Sequence, residues 1–218
     1  DVGAAELPAE ELKQGVKAVG SDIDIGAEVA KRLGMTAKFQ NTGFDGIVAA
    51  LLSDKCDAII SGMNDTPVRA KSVSFVDYLS VGQSLIGKKG NPLNIKTPLD
   101  VCGKASGAQV ATTNLETLQG FDKKCKAAGK PGIKIISFKE DPLGVTALKT
   151  GHIDVYESDS PPAVWYTTKD PSLGIVGAPI EAQPVGIAVA PKNTDLKDKI
   201  QGAIDDMYGD GTMTTILA

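Results

Sequence analysis

Aromatic residues are scarce in this sequence, at 5% of its 218 residues. It has a single histidine, His152, and three cysteines. Nowhere does it offer the run of roughly 20 apolar residues that a membrane-spanning helix needs. Each shortage excludes something. The net charge is -4 and no stripe of Lys and Arg is present, so a nucleic acid is not the expected partner. The sequence has no Gly-x-Ser-x-Gly elbow, no Walker loop and no Gly-x-Gly-x-x-Gly. His152 follows a Thr-Gly helix stop and precedes a strand, the place of a solvated turn residue more than of a base. No catalytic residue, metal site or cofactor is therefore expected.

The three cysteines carry mixed information. The segment between Cys102 and Cys125 reads as strand, turn and helix, a path that can return its ends to one place. A bridge there would stabilise by about 3 kcal/mol in the loop-entropy model and would point to an oxidising compartment. Two reduced, half-buried thiols fit the same spacing. Cys56, just before a strand, reads as a small apolar filler.

The composition, 42% hydrophobic and 23% charged, allows a packed core, and the length allows two small domains. The first residues, Asp1 to Gly15, do not read as a secretion signal, so a mature product is expected, with any signal or lipid-anchored cysteine removed or lying upstream. Ile25, Val29 and Leu33 predict a helix over 22–33, and Phe44, Ile47, Val48, Leu51 and Leu52 a second. Strands are expected at 36–40 and 57–61, then at 73–78. Thr66-Pro67 and Thr97-Pro98 each open a short helix. The alternation then restarts, with strands at 107–111, 133–138, 153–158 and 174–177 and helices at 113–128, 141–150 and 160–168. A final strand at 185–190 and helix at 195–208 are too little for a third domain and should return to the first. The expected fold is α/β: two Rossmann-like lobes, 1–82 with 185–218 and 83–184, joined by a two-strand hinge where the chain crosses near 80–84 and 182–186.

In open α/β sheets ligands bind beyond the carboxyl ends of strands, where helix N-termini present free N–H groups. Three segments occupy such places. Ser61-Gly62-Met63-Asn64 runs on to Arg69, whose guanidinium could fork onto a carboxylate or simply make a surface salt bridge. Thr112, Thr113 and Asn114 open a helix and could bind a ligand or merely cap it. Asp159 could cap the next helix or receive an ammonium.

In order and separation, VGSDIDIGAEVAKRLG, FDGIVAALLSDKCDAIISGM and TPVRAKSVSFVDY resemble the first lobe of the family 3 solute-binding proteins, the polar amino-acid receptors of bacterial ABC importers. The resemblance continues through VCGKASGAQVATTNLETL, TGHIDVYESDSPPA, PVGIAVAPKN and DDMYGDGTMTTILA, nearly the whole chain. It implies a periplasmic-binding-protein type II architecture and a monomeric receptor, periplasmic or lipid-anchored outside the cell membrane. Such a receptor closes on a small amino-acid-like ligand and delivers it to a membrane ABC permease. It also implies that Arg69 holds the ligand carboxylate with help from amides near Gly62, Asn64 and Thr113, that Asp159 in the other lobe holds the ammonium, that Ser61 and Asn114 are further ligand contacts, and that Cys102 and Cys125 are bridged.

Departures from the family pattern bear on the ligand. The usual aromatic residues near the start are missing, and Glu6, Leu7, Glu10 and Ser21 stand around their places. Glu157 lies in an apolar strand on the same face as Asp159. These acids are either solvated carboxylates or an acidic pocket for the cationic group of arginine, lysine, an opine or a quaternary amine. Ala111 replaces a usual glycine, and Phe44 is a ligand contact or a core residue. Some relatives of the family resemble dehydratases, in which a carboxyl such as Glu157 would act as an acid; a sensor domain of a membrane receptor is a further possibility.

Overall fold

The structure is a computed structural model and describes residues 19–218. The chain divides into two compact units. The described residues up to Thr42, with Gly46–Ser80 and Gln183–Ala218, form the first; Gly43–Asp45 and Val81–Ala182 form the second.

In the first unit α1 spans Ser21–Arg32 and buries Ile25 and Val29, the apolar spacing that predicted it. Its first turn carries Asp22 and Asp24 and its last Lys31 and Arg32, charges placed to favour the helix dipole. Helix α2, Ile47–Leu52, buries Ile47 and Leu51. Strand β1, Ala58–Ile59, pairs antiparallel with the end of the last strand, Ala58 opposite Val189. Helix α6, Thr194–Gly209, places Ile200, Ala203, Ile204 and Met207 in the core, and Tyr208 donates its hydroxyl to the Tyr78 carbonyl.

Two long strands run from one unit into the other: β2, Ser74–Lys88, and β6, Leu173–Val189. The expected strands at 73–78, 174–177 and 185–190 are parts of them, and the expected crossings are their continuation. Within the first unit Gly186 lies so close to β2 that a Cβ there would stand 2.9 Å from the Val76 carbonyl oxygen. Only glycine allows that approach.

The second unit is a sheet in the order β2–β5–β3–β4, with β3 (Ala105–Gln109) parallel to both β4 (Lys134–Phe138) and β5 (Val155–Asp159) and β2 antiparallel to β5. Helix α3, Thr113–Ala127, covers one face with Leu118, Phe121 and Cys125, packing on Leu85, Ala108 and Val155. Helices α4, Asp141–Thr150, and α5, Ser160–Lys169, cover the other, where Val145, Leu148 and Ala163 meet Ile86 and Tyr156. Each Val, Leu, Ile or Phe among them contributes about 1.5–3 kcal/mol when fully buried. Cys125 of α3 is bridged to Cys102, with Cα atoms 5.6 Å apart, so the disulfide is formed.

Several expectations need correction. Residues 36–40 do not form a strand, because no described strand supplies the ladder that would make them one. The second helix starts at Ile47, after a turn containing Phe44, and the strand expected over 57–61 shrinks to Ala58–Ile59. Thr66-Pro67 and Thr97-Pro98 open single 3-10 turns, Arg69–Lys71 and Pro98–Val101, not α-helices; the second has Thr97 and Asp100 as a capping box. Strand β3 ends at Gln109, because Ala111 turns into the left-handed region at φ 62°. The short helix α7, Thr212–Leu217, which buries Met213, had no counterpart among the expectations.

Candidate functional site

The first unit gathers its candidates in the loop after β1. Ser61 and Gly62 are half-buried there and Asn64 is buried, its backbone bridged to Val185. Gly62 adopts φ 53° and donates its N–H to Asp22 Oδ2 at 2.7 Å. Asp22 Oδ1 accepts the Tyr78 hydroxyl at 2.6 Å. Burial pushes the Asp22 carboxyl up, and the bonds from Tyr78 and Gly62 pull it back. Asp22 thus fixes the loop from the start of α1, a role that the alternation of helices and strands gave no reason to expect.

Arg69 is half-buried in the 3-10 turn that follows. Thr66 Oγ1 accepts the Arg69 backbone N–H at 3.2 Å, and the guanidinium Nη1 donates to the Asn64 carbonyl oxygen at 3.0 Å. The loop therefore holds its own arginine in place.

The second unit brings Thr113, Asn114, Glu157 and Asp159 to one side of its sheet. Thr112 does the capping of α3, its Oγ1 accepting the Leu115 N–H at 3.2 Å. Asn114 Nδ2 donates to Asp159 Oδ1 at 3.0 Å. Asp159 stands at the N-cap position of α5 but makes no side-chain cap bond, so capping does not explain it. Thr113 Oγ1 accepts Gln83 Nε2 at 3.1 Å, while Gln83 Oε1 accepts the Thr117 hydroxyl at 2.9 Å. Gln83, opposite Asp159 across the β2–β5 pair, was missed because it falls in a crossing segment.

Glu157 is 1% exposed, which rules out a solvated carboxylate, and neither of its oxygens has a hydrogen-bond partner. Burial, then the neighbouring charge of Asp159, pushes its carboxyl well above the ordinary value of 4.5. On the opposite face Asp141 accepts the hydroxyls of Tyr156 and Ser158, and burial raises it too. His152 is exposed in the turn after α4, its Nδ1 paired with Thr150 Oγ1 at 2.8 Å. Phe44 is half-buried in its turn, and Ser21 half-buried at the first position of α1. Glu6, Leu7 and Glu10 lie outside the described residues.

Each unit thus gathers polar groups beyond its strands, Arg69 tethered to the Asn64 carbonyl in the first and Asp159 joined to Asn114 in the second. The chain belongs to the bacterial extracellular solute-binding proteins, family 3, whose family model matches residues 2–218. It is 30% identical over 221 residues to ABC transporter arginine-binding protein 1 of Escherichia coli, covering 99% of this chain and 86% of that one. Among solved structures, an ancestral arginine-binding protein bound to arginine is 37% identical with a TM-score of 0.84, covering 93% of this chain and 88% of the other. The ancestral amino-acid-binding protein AncCDT-1, a precursor of cyclohexadienyl dehydratase, is 29% identical with a TM-score of 0.83, covering 93% and 86%.

Proposed function

We propose that this chain captures a small amino acid with a cationic side chain outside the cytoplasmic membrane and delivers it to an ABC permease. Arg69 takes the ligand carboxylate and Asp159 its ammonium, with Thr113 and Asn114 adding hydrogen bonds. Closure is a hinge motion at β2 and β6, the two strands that pass from unit to unit, biased by the ligand's greater affinity for the closed form. The chain works as a monomer, free in the periplasm or lipid-anchored.

The observation that carries this reading is the Asn114–Asp159 bond, which holds a carboxylate at a helix start without using it as a cap. The arginine binders among the relatives support the cationic side chain. A thermal-shift screen over L-arginine, L-lysine, L-glutamine, L-histidine, L-cystine, opines and quaternary amines tests it, because a ligand at 100 times its Kd raises stability by about 2.7 kcal/mol. The reading expects the largest shifts from arginine and lysine. No shift with any amino acid would remove it.

One observation favours a second reading, a dehydratase on the same fold: a carboxyl that keeps its proton is the form a general acid needs, and AncCDT-1 is a precursor of such an enzyme. Glu157 is 1% exposed, which leaves no surface for a substrate, so binding remains the better account. Turnover of prephenate decides between them.

A further inference from the structure

Asp22 is a buried acid, 6% exposed, in the first turn of α1. Taking a carboxylate out of water is costly, so a position that only had to be filled would carry an apolar side chain. The dipole of α1 offsets part of the cost at this end of the helix. Two hydrogen bonds offset more: Oδ2 accepts the Gly62 N–H at 2.7 Å and Oδ1 the Tyr78 hydroxyl at 2.6 Å. Both partners are far away in sequence, one in the loop after β1 and the other on β2.

That loop is held differently along its length. From Met63 to Asp65 it is bonded to β6: Asp65 donates its N–H to the Pro184 carbonyl and Gly186 donates to the Met63 carbonyl, each at 3.0 Å, with Asn64 bridged to Val185. Gly62, one residue earlier, turns at φ 53°, and a Cβ placed there would meet nothing within 4 Å. A glycine in open space has a wide choice of backbone conformations, and the bond to Asp22 selects one. Tyr78 is itself fixed, since its carbonyl accepts the Tyr208 hydroxyl from α6. Asp22 therefore joins the entry of the loop to β2, as the backbone bonds join its exit to β6, and these are the two strands that pass from unit to unit.

We propose that Asp22 is a positioning residue of the ligand site: by holding the Gly62 N–H and the Tyr78 hydroxyl together, it sets the loop from Ser61 to Asn64 in the conformation that meets the ligand. This rests on the ligand reading given above, in which Arg69 receives the carboxylate. Because the Arg69 guanidinium is tethered to the Asn64 carbonyl, a loop misplaced at Gly62 misplaces the guanidinium as well. Asp22 touches no ligand itself. It acts by removing alternatives, so that binding does not have to order the loop. Charge is not needed for this. An asparagine at the same place accepts from Gly62 through Oδ1 and donates through Nδ2 to the Tyr78 hydroxyl oxygen, which can accept as well as donate.

Titration calorimetry with L-arginine on the wild type, Asp22→Ala and Asp22→Asn, each at a temperature where it is fully folded, tests the assignment beside amide hydrogen exchange of the unliganded proteins. Asp22→Ala should bind about ten-fold more weakly, and Asp22→Asn should recover most of that loss. Gly62 and its neighbours should lose protection in the alanine variant while α6 keeps it, and asparagine should restore it. If Asp22 served stability alone, the folded alanine variant would bind arginine as the wild type does and protection would fall evenly across the first unit; either result overturns the proposal. Equal losses of affinity in the two variants also overturn it, since they assign the effect to charge. Should Asp22→Ala not fold, Tyr78→Phe takes its place, with several-fold weaker binding and a faster-exchanging Gly62 amide expected, and wild-type values for both contradicting the proposal. If no amino acid binds the wild type, the ligand reading falls instead. Exchange then tests the hold on the loop by itself, and a Gly62 amide as protected in the variant as in the wild type contradicts it.

Discussion

Asn114 donates its amide to Asp159 at 3.0 Å, from the first turn of one helix to the residue that begins another. The bond fixes one carboxylate oxygen and leaves the orientation of the other determined. On the proposed reading, in which Asp159 receives the ligand ammonium, Asp159→Asn should weaken ligand binding by on the order of 2–5 kcal/mol. Asn114→Ala should cost less, about 1.5–3 kcal/mol, since it removes one charge-assisted bond and keeps the acid. Titration calorimetry of both variants checks the order of the two effects.

Arg69 gives a complementary test. Its side chain is tethered to the Asn64 carbonyl, so Arg69→Lys keeps a charge but loses both the tether and the planar fork. The lysine variant should bind more weakly than the wild type, and Arg69→Ala should lose on the order of 2–5 kcal/mol. Wild-type affinity in Arg69→Ala would remove Arg69 from the carboxylate site.

Glu157 also sets a stability profile independent of ligand. Unfolded, it ionises near its ordinary value of 4.5; folded, it holds its proton to higher pH. Between those two values the folded state carries a proton that the unfolded state has lost, so this group's contribution to stability falls as pH rises through the window. Glu157→Leu should flatten that slope and stabilise the protein at neutral pH by on the order of 1–3 kcal/mol. Urea denaturation at several pH values measures it.

Ala111 turns the chain at φ 62° between β3 and α3, a conformation costly for any residue with a Cβ. Ala111→Gly should therefore raise the unfolding free energy by roughly 1 kcal/mol. A shift of the denaturant midpoint at unchanged slope is the expected signature.

How much of this was legible in the sequence depended on whether the cause was local. The helices α1, α3 and α6 were readable because their apolar spacing is also their burial pattern. Residues 36–40 carry β-forming side chains but lack a described partner, and pairing is decided by distant chain. The long strands β2 and β6 were broken up because their middle residues read as crossings; extended backbone shows as a strand only when the neighbour across the ladder is known. Among the candidate residues, Arg69, Asn114 and Asp159 stand out in the sequence as polar residues after strands. Gln83 and Asp22 did not, because their partners, Thr113 and Thr117 for one and Gly62 and Tyr78 for the other, lie tens of residues away. Glu157 looked odd from sequence alone, but only packing showed that it has no partner.

The most direct test of the account is a calorimetric titration of the wild-type protein with L-arginine, beside L-glutamine and the arginine derivative acetylated on its α-nitrogen. The account predicts saturable binding of arginine at one site per chain, weaker binding of glutamine, and loss of binding when acetylation removes the ammonium that Asp159 receives. Binding of the acetylated compound as tightly as arginine, or no binding of any amino acid, would contradict it.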